Sequence, residues 1–126
     1  FVAMTNEPGW FLFNGLVRVD LATGERQQWR FAPGVFASES PIAPKTGRDD
    51  ELDAYVVTFC SDMNHDRSEC QIFELADVRK GPIARVLLPE RIASGTHACW
   101  VSLEDLAHPP GTASVSDRAA AAIPSS

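Results

Sequence analysis

The fold of this chain is decided by residues 17–31, VRVDLATGERQQWRF. Apolar and charged side chains alternate from Val17 to Leu21, which is the period-2 pattern of a strand with one buried face. The residues after Gly24 alternate again, and glycine tolerates the positive φ that a tight turn requires. This stretch therefore predicts a β-hairpin, with Val17, Val19 and Leu21 on the buried side of its first strand.

Short strands and turns continue along the rest of the chain, and no helix of convincing length is indicated. An irregular strand is expected within Val35 to Ala43, and a long strand that is apolar on both faces is expected from Leu52 to Cys60. A polar turn follows it. The return strand is expected from Cys70 to Leu75, and a further strand from Ile83 to Leu88. Single helical turns are predicted at 75–80 and after the cap residue Ser102. Closely spaced strands without helices between them predict an all-β sandwich, barrel or propeller.

The composition changes near Ala107. Residues 107–126 are rich in Pro, Gly, Ser, Thr and Ala and almost lack large apolar side chains, which is typical of a flexible tail. The prediction is a folded β unit over residues 1–106 and a disordered tail over 107–126. The chain opens at Phe1 without an initiator methionine or a signal-peptide pattern, which favours a piece of a longer protein.

Charge and cysteine content exclude several classes of protein. The 17 acidic and 11 basic residues give a net charge of −6, which argues against nucleic acid or an anionic membrane as the main partner. No apolar run approaches the roughly 18 residues of a membrane helix. Cys60, Cys70 and Cys99 are odd in number and form no CxxC motif, which favours reduced thiols in a cytoplasmic setting. A bridge between Cys60 and Cys70 across a hairpin stays open.

Residues 62–66 superficially resemble a calcium-binding loop, with Asp62, Asn64 and Asp66 at alternate positions. The resemblance fails at the sixth and twelfth positions, which hold Arg67 and Phe73 in place of glycine and glutamate. A polar hairpin turn is therefore predicted. His65 and the acidic run Asp49, Asp50 and Glu51 are predicted to be solvent-exposed and without a role in a site. His108 lies in the tail and has no neighbouring acid or thiol that would suggest a site.

Two polar residues stand in less ordinary surroundings. His97 lies among small residues in the stretch 94–100, SGTHACW, and an imidazole in such a confined place is either a satisfied core histidine or a metal ligand. Glu39 interrupts an apolar stretch, so it needs a partner if it is buried and is otherwise a surface acid at a strand bend. Neither residue alone defines a site.

The order of several segments resembles the C-terminal part of the carotenoid oxygenase family, and most of all its lignostilbene-cleaving branch. The resemblance covers about residues 10 to 103, and its strength lies in the order and spacing of the pieces. The segments are FNGLVRVDLATGER (13–26), PGVFASESPIAPK (33–45), the acids at 49–51 before a long strand, SECQIFELA (68–76), GPIA (81–84) and LPERIASGTHACW (88–100).

The resemblance implies a partial seven-bladed β-propeller, with about one to two closing blades in this chain. It implies Fe(II) on the propeller axis, held by four histidines, and three glutamates that orient some of them. His97 takes the last iron-ligand position, and Glu39 takes the place of the last glutamate, which accepts the Nδ1–H of that histidine. The implied reaction adds both atoms of O2 across a C=C bond of a lipophilic or phenolic alkene, a carotenoid, apocarotenoid or stilbene, and gives two carbonyl products.

Two positions depart from the family pattern: Ala98 replaces a glycine after the histidine, and Ser40 replaces a proline after the glutamate. The other iron ligands find no match in this chain, so we expect the isolated chain to be inactive. The alternatives are a non-catalytic all-β binding or scaffold module, or a decayed family member without iron. The enzyme interpretation requires the Glu39 carboxylate about 2.6–3.2 Å from the His97 ring and Nε2 directed to an open end of the strands.

Overall fold

The computed structural model of the protein describes residues 2–6, 12–93, 95 and 97–107, so all but the first residue of the predicted tail lies outside it. These residues form one antiparallel sheet of eight strands. A 3₁₀ helix (Leu75–Lys80) follows β7, and a short helix α1 (Leu103–Ala107) ends the described part. The strands are β1 (Val2–Asn6), β2 (Phe13–Val19), β3 (Arg26–Arg30), β4 (Val35–Ala37), β5 (Ile42–Pro44), β6 (Ala54–Asp62), β7 (Arg67–Glu74) and β8 (Ala84–Leu87).

The sheet order is β1-β2-β4-β6-β7-β8, with β3 paired to β2 and β5 paired to β6. The mostly-β prediction is confirmed for the described residues, as are the two short helical turns. The second of them starts as expected, because the Ser102 hydroxyl accepts the Asp105 N–H at 3.0 Å and so replaces a missing backbone partner.

The β2–β3 hairpin is confirmed, but the predicted buried side of β2 is wrong. Leu16 is fully buried and Arg18 is 7% exposed, whereas Leu21 is 84% exposed. The register explains the difference, because it sets Leu16 opposite Trp29 and Arg18 opposite Gln27. Since side chains alternate across a strand, pairing Leu16 with the core tryptophan turns the next residue, a valine, away from the core.

The long central strand also differs from its prediction. Strand β6 begins and ends two residues later than expected, and its buried side chains alternate with more exposed ones, of which Phe59 is 39% exposed. Strand β6 is therefore buried on one face, not on both. The register places Cys60 opposite Glu69 and Cys70 opposite Phe59, so the two thiols lie on opposite faces of the sheet. A bridge between them is excluded by this alternation, and both are free thiols.

Strands β4 and β5 correspond to the single irregular strand that the sequence predicts. Both pair with β6, and the interruption lies between the two paired stretches. Ala37 pairs with Cys60 and Ile42 pairs with Val56. Four residues (38–41) therefore face three residues of β6 (57–59), which is a one-residue β-bulge. The bulge stays attached to β6, because Ser38 N–H donates to the Phe59 carbonyl at 2.8 Å and Val57 N–H donates to the Pro41 carbonyl at 3.0 Å.

The core lies on one side of this sheet and is closed by the 3₁₀ helix. Phe73 is fully buried and stands edge-on to Trp29 and Phe31, with ring centroids 6.2 and 6.3 Å apart. The 3₁₀ helix adds Leu75 and Val78 to the same cluster. The core therefore packs the β2–β3 hairpin together with β6 and β7. The bulge lies against β6, one of these strands.

Both the backbone conformation and the packing at position 81 require glycine. Gly81 has φ of 81° and ψ of −176°, a region that only glycine enters easily. A Cβ at this position would lie 2.8 Å from the Trp29 ring. Gly24 also has a positive φ, 74°, but a Cβ there would meet nothing within 4 Å.

We expect Gly24→Ala to cost about 1 kcal/mol of unfolding free energy, from backbone strain alone. Gly81→Ala should cost about 1–3 kcal/mol more, because the added methyl overpacks the core against Trp29. Urea unfolding followed by far-UV circular dichroism measures both values. Equal losses in the two variants would contradict the packing described for Trp29.

Candidate metal centre

The bulge carries Glu39, whose carboxylate makes two contacts with a segment far along the chain. Oε1 lies 3.1 Å from Nδ1 of His97, and Oε2 accepts the backbone N–H of Ala98 at 2.7 Å. Because a carboxylate only accepts, Nδ1 of His97 is the protonated ring nitrogen in this contact. Glu39 therefore holds both the ring of His97 and the backbone beside it.

The segment after β8 reaches Glu39 by crossing the end of the β6–β7 hairpin. Arg91 forms an ion pair with Asp66 in the hairpin turn, and Ile92 N–H donates to the Ser68 hydroxyl at 3.1 Å. Farther along, a Cβ on Gly95 would lie 3.5 Å from Cβ of Ser38, an ordinary packing distance. These contacts bring residues 97 and 98 to the bulge, nearly 60 residues away in sequence.

The His97 imidazole is 93% exposed, and the Glu39 side chain is 37% exposed. The expectation of a confined imidazole is therefore wrong for this chain, and so is the satisfied core histidine, because the ring is almost fully exposed. Within the described residues, Nε2 of His97 has no hydrogen-bond partner. The 3.1 Å contact meets the distance that the enzyme interpretation requires, and a carboxylate on Nδ1 is typical of imidazoles that bind a metal. That Nε2 is directed to an open end of the strands stays a prediction.

His97 is the candidate ligand position that the described residues offer. No group of three or more His, Cys, Asp or Glu side chains in the described part of the chain could hold a metal ion. His97 with Glu39 could therefore act as one histidine ligand and its orienting carboxylate, and any further ligands would have to come from outside the described residues.

Residues 62–66, which superficially resemble a calcium-binding loop, form a hairpin turn, as predicted. Asp62 is nearly buried and accepts hydrogen bonds from the His65 ring at 2.7 Å and from Nε of Arg67 at 3.2 Å. Its other oxygen accepts the backbone N–H groups of Asn64 and His65. With Asp66 paired to Arg91, these acids stabilise the turn. The loop acids 49–51 are exposed, and His108 lies outside the described residues.

Sequence reasoning missed two parts of the centre. The backbone N–H of Ala98 carries no side-chain signal, and Ser38 was not singled out although its side chain is buried beside Glu39. A proline two residues after the glutamate, Pro41, is the one sequence signal for the bulge, because proline inside a strand marks an irregularity.

Comparison with known proteins places this antiparallel sheet in a class of oxygenases. The chain resembles a lignostilbene dioxygenase from Pseudomonas brassicacearum, with a TM-score of 0.72 and 27% identity over 79% of this chain and 23% of that one. It also resembles a cobalt-substituted apocarotenoid oxygenase from Synechocystis, with a TM-score of 0.68 and 27% identity over 72% of this chain and 19% of that one. An isoeugenol monooxygenase from Pseudomonas nitroreducens is 30% identical over 72% of this chain and 19% of its own length.

The family model described as retinal pigment epithelial membrane protein (RPE65) matches residues 1–102. The chain therefore belongs to the carotenoid oxygenase family, as its sequence motifs predict. It spans about a fifth of the length of the curated relatives it matches. Among the described residues, no helix has both the length and the apolar character needed to cross a membrane.

The turn at Asp62 predicts an acid-sensitive contribution to stability. The hydrogen bond from the His65 ring is the largest cause that lowers the pKa of Asp62 below its ordinary value of 3.8. A lowered carboxyl pKa stabilises the folded state above the ordinary value, and this stability is lost as the pH falls through the folded pKa.

We therefore expect Asp62→Asn to be less stable than the parent chain at pH 5, with the difference shrinking as the pH falls below about 3.8. Urea midpoints at pH 5 and pH 3 measure the difference. Asp49→Asn in the exposed loop is the matched control, and its difference from the parent should not change. An Asp62→Asn deficit of the same size at both pH values would refute this assignment.

Proposed function

We propose that this chain is the C-terminal section of a non-haem Fe(II) dioxygenase that cleaves a C=C bond of a carotenoid, apocarotenoid or stilbene into two carbonyl products. His97 is the iron ligand that the chain contributes, and Glu39 orients it. The observation that carries the proposal is the two-point contact of the Glu39 carboxylate, with Nδ1 of His97 at 3.1 Å and the N–H of Ala98 at 2.7 Å.

The chemistry of the pair supports this assignment. Donation of the Nδ1 proton to Glu39 fixes the tautomer in which Nε2 of His97 carries the lone pair, and it makes that nitrogen more basic. Imidazole is a ligand that suits ferrous iron. Iron, when bound, supplies the site at which dioxygen is activated. The exposure of the ring leaves Nε2 accessible to a metal that histidines from outside this chain also hold.

The distribution of apolar side chains supports a section of a larger propeller, with one to two blades formed by residues 1–106 and a tail over 107–126. Strand β8 pairs only with β7 in the described sheet, and a row of large apolar residues at this edge and in the last described segment is exposed. These residues are Ile83, Val86, Leu87, Trp100, Leu103 and Leu106, each more than half exposed. Surfaces of this kind are normally covered by further protein.

The substrate class follows from what the related proteins share. Their names refer to isoeugenol, lignostilbene and apocarotenoids, which are lipophilic or phenolic molecules with a C=C bond. The net charge of −6 disfavours a polyanion such as nucleic acid as the partner. A cytoplasmic location agrees with three free thiols, of which Cys60 is inert because burial raises its pKa to about 12.

A graft tests the assignment without requiring the chain to supply the other ligands. Residues 12–102 would replace the matching section of the Pseudomonas brassicacearum lignostilbene dioxygenase. We expect the graft to bind iron and to cleave a stilbene, His97→Ala to lose both, and Glu39→Gln to weaken iron binding or activity by about 10–100-fold. Iron content by atomic absorption and product formation by chromatography measure these effects.

His65→Ala is the matched control, because His65 is an exposed histidine held by an acid but assigned no metal. It should leave iron content unchanged. The isolated chain should bind no stoichiometric iron and cleave nothing. Normal iron content in a folded His97→Ala graft would overturn the assignment. A folded graft without iron would favour the alternative, an all-β scaffold module or a family member that has lost its metal.

A further inference from the structure

Ser38 is the residue that attaches the Glu39 bulge to the central strand, and the side chain of Ser38 is buried at 6% exposure. Its hydroxyl accepts the Phe59 N–H at 3.3 Å and donates to the Glu39 carbonyl at 2.9 Å. Its backbone N–H donates to the Phe59 carbonyl at 2.8 Å. One hydroxyl thus joins β6 to the backbone of the residue that carries the carboxylate.

A bulge needs such a connection, because its extra residue has no place in the regular ladder. Thr58, fully buried on β6, adds a longer contact from its hydroxyl to the Ser38 carbonyl at 3.5 Å. Gly95 also lies near Ser38, because a Cβ built on Gly95 would be 3.5 Å from Cβ of Ser38. Ser38 is therefore hydrogen-bonded to the central strand and lies close to the segment that carries His97.

We propose that Ser38 is a positioning residue of the metal centre: its buried hydroxyl fixes the bulge so that the Glu39 carboxylate meets the His97 ring and the Ala98 N–H together. The metal part of this inference rests on the proposed function. The positioning part does not, because it concerns the tautomer of His97 in the metal-free chain. Without the hydroxyl, the bond from Phe59 N–H and the bond to the Glu39 carbonyl are lost, while the backbone bonds of the bulge to β6 remain. The Glu39 carbonyl is then no longer fixed, and the carboxylate no longer holds Nδ1 in its donor state.

Nitrogen NMR of the metal-free 126-residue chain at pH 8 measures the tautomer directly, with the His97 signals assigned by their loss in His97→Ala. In the parent chain we expect the Nδ1–H tautomer to predominate. Ser38→Ala and Glu39→Ala should each reduce its population by at least half, and the double variant should show no further loss. A merely structural role would not produce this non-additivity.

Val78→Ala is the matched control, because it opens a cavity in the core against the 3₁₀ helix and makes no contact with Glu39. It should lower stability and leave the tautomer unchanged. If Ser38→Ala does not fold, Thr58→Val removes the second hydroxyl contact to the same bulge and should shift the tautomer in the same direction. A parent-like tautomer in folded Ser38→Ala, or in Glu39→Ala, would overturn the inference.

The graft separates this inference from the proposed function. Ser38→Ala in the graft should weaken iron binding by about 10–100-fold, as a change behind a metal ligand typically does, and should add nothing in a Glu39→Gln background. If the tautomer shifts as expected while His97→Ala keeps its iron, the positioning role stands and the metal assignment fails. If iron binding depends on His97 but the Nδ1–H tautomer population is the same in Ser38→Ala as in the parent chain, only the positioning role fails.

Discussion

The pairing of two short strands with one long strand is the constraint on which the site depends. Strands β4 and β5 both pair with β6, and four residues of the first chain segment must face three residues of β6 between the two paired stretches. The extra residue cannot join the ladder, and a bulge of this kind bends its strand and re-aims the side chains there. Glu39 lies at this point, and its carboxylate reaches His97 and Ala98.

The crossing segment completes the geometry from the other side. Its contacts with the β6–β7 hairpin turn, through Arg91 and Ile92, set the path by which His97 arrives beside the bulge. The Glu39 carboxylate then joins the two segments through the ring of His97 and the N–H of Ala98. The two oxygens of this one carboxylate orient the ring of His97 and hold the backbone beside it. A histidine that presents Nε2 to a metal needs its ring to be oriented in this way.

The sequence predicted those features that depend on local pattern or on family motifs, including the hairpin at residues 17–31, the two short helical turns, the mostly-β class and the family itself. The sequence did not predict which face of β2 is buried, because the register of the strands decides this. A shift of one residue exchanges the two faces of a strand, and Arg18 is accordingly buried. Glu39 and His97 could be paired by resemblance, whereas the bulge and Ser38 could not, since a bulge is a count of residues across two strands. The exposure of His97 was also unpredictable, because small neighbours in sequence do not reveal which side of the segment is covered.

The central claim is that His97 presents Nε2 to iron while Glu39 holds Nδ1. An anomalous-difference map at the iron absorption edge, from crystals of the iron-loaded graft, tests it most directly. The account predicts an iron peak at bonding distance from Nε2 of His97, about 2 Å as for imidazole on similar metals, with the Glu39 carboxylate still on Nδ1. An iron peak bound by other residues alone, with the His97 ring turned away from it, would contradict the account.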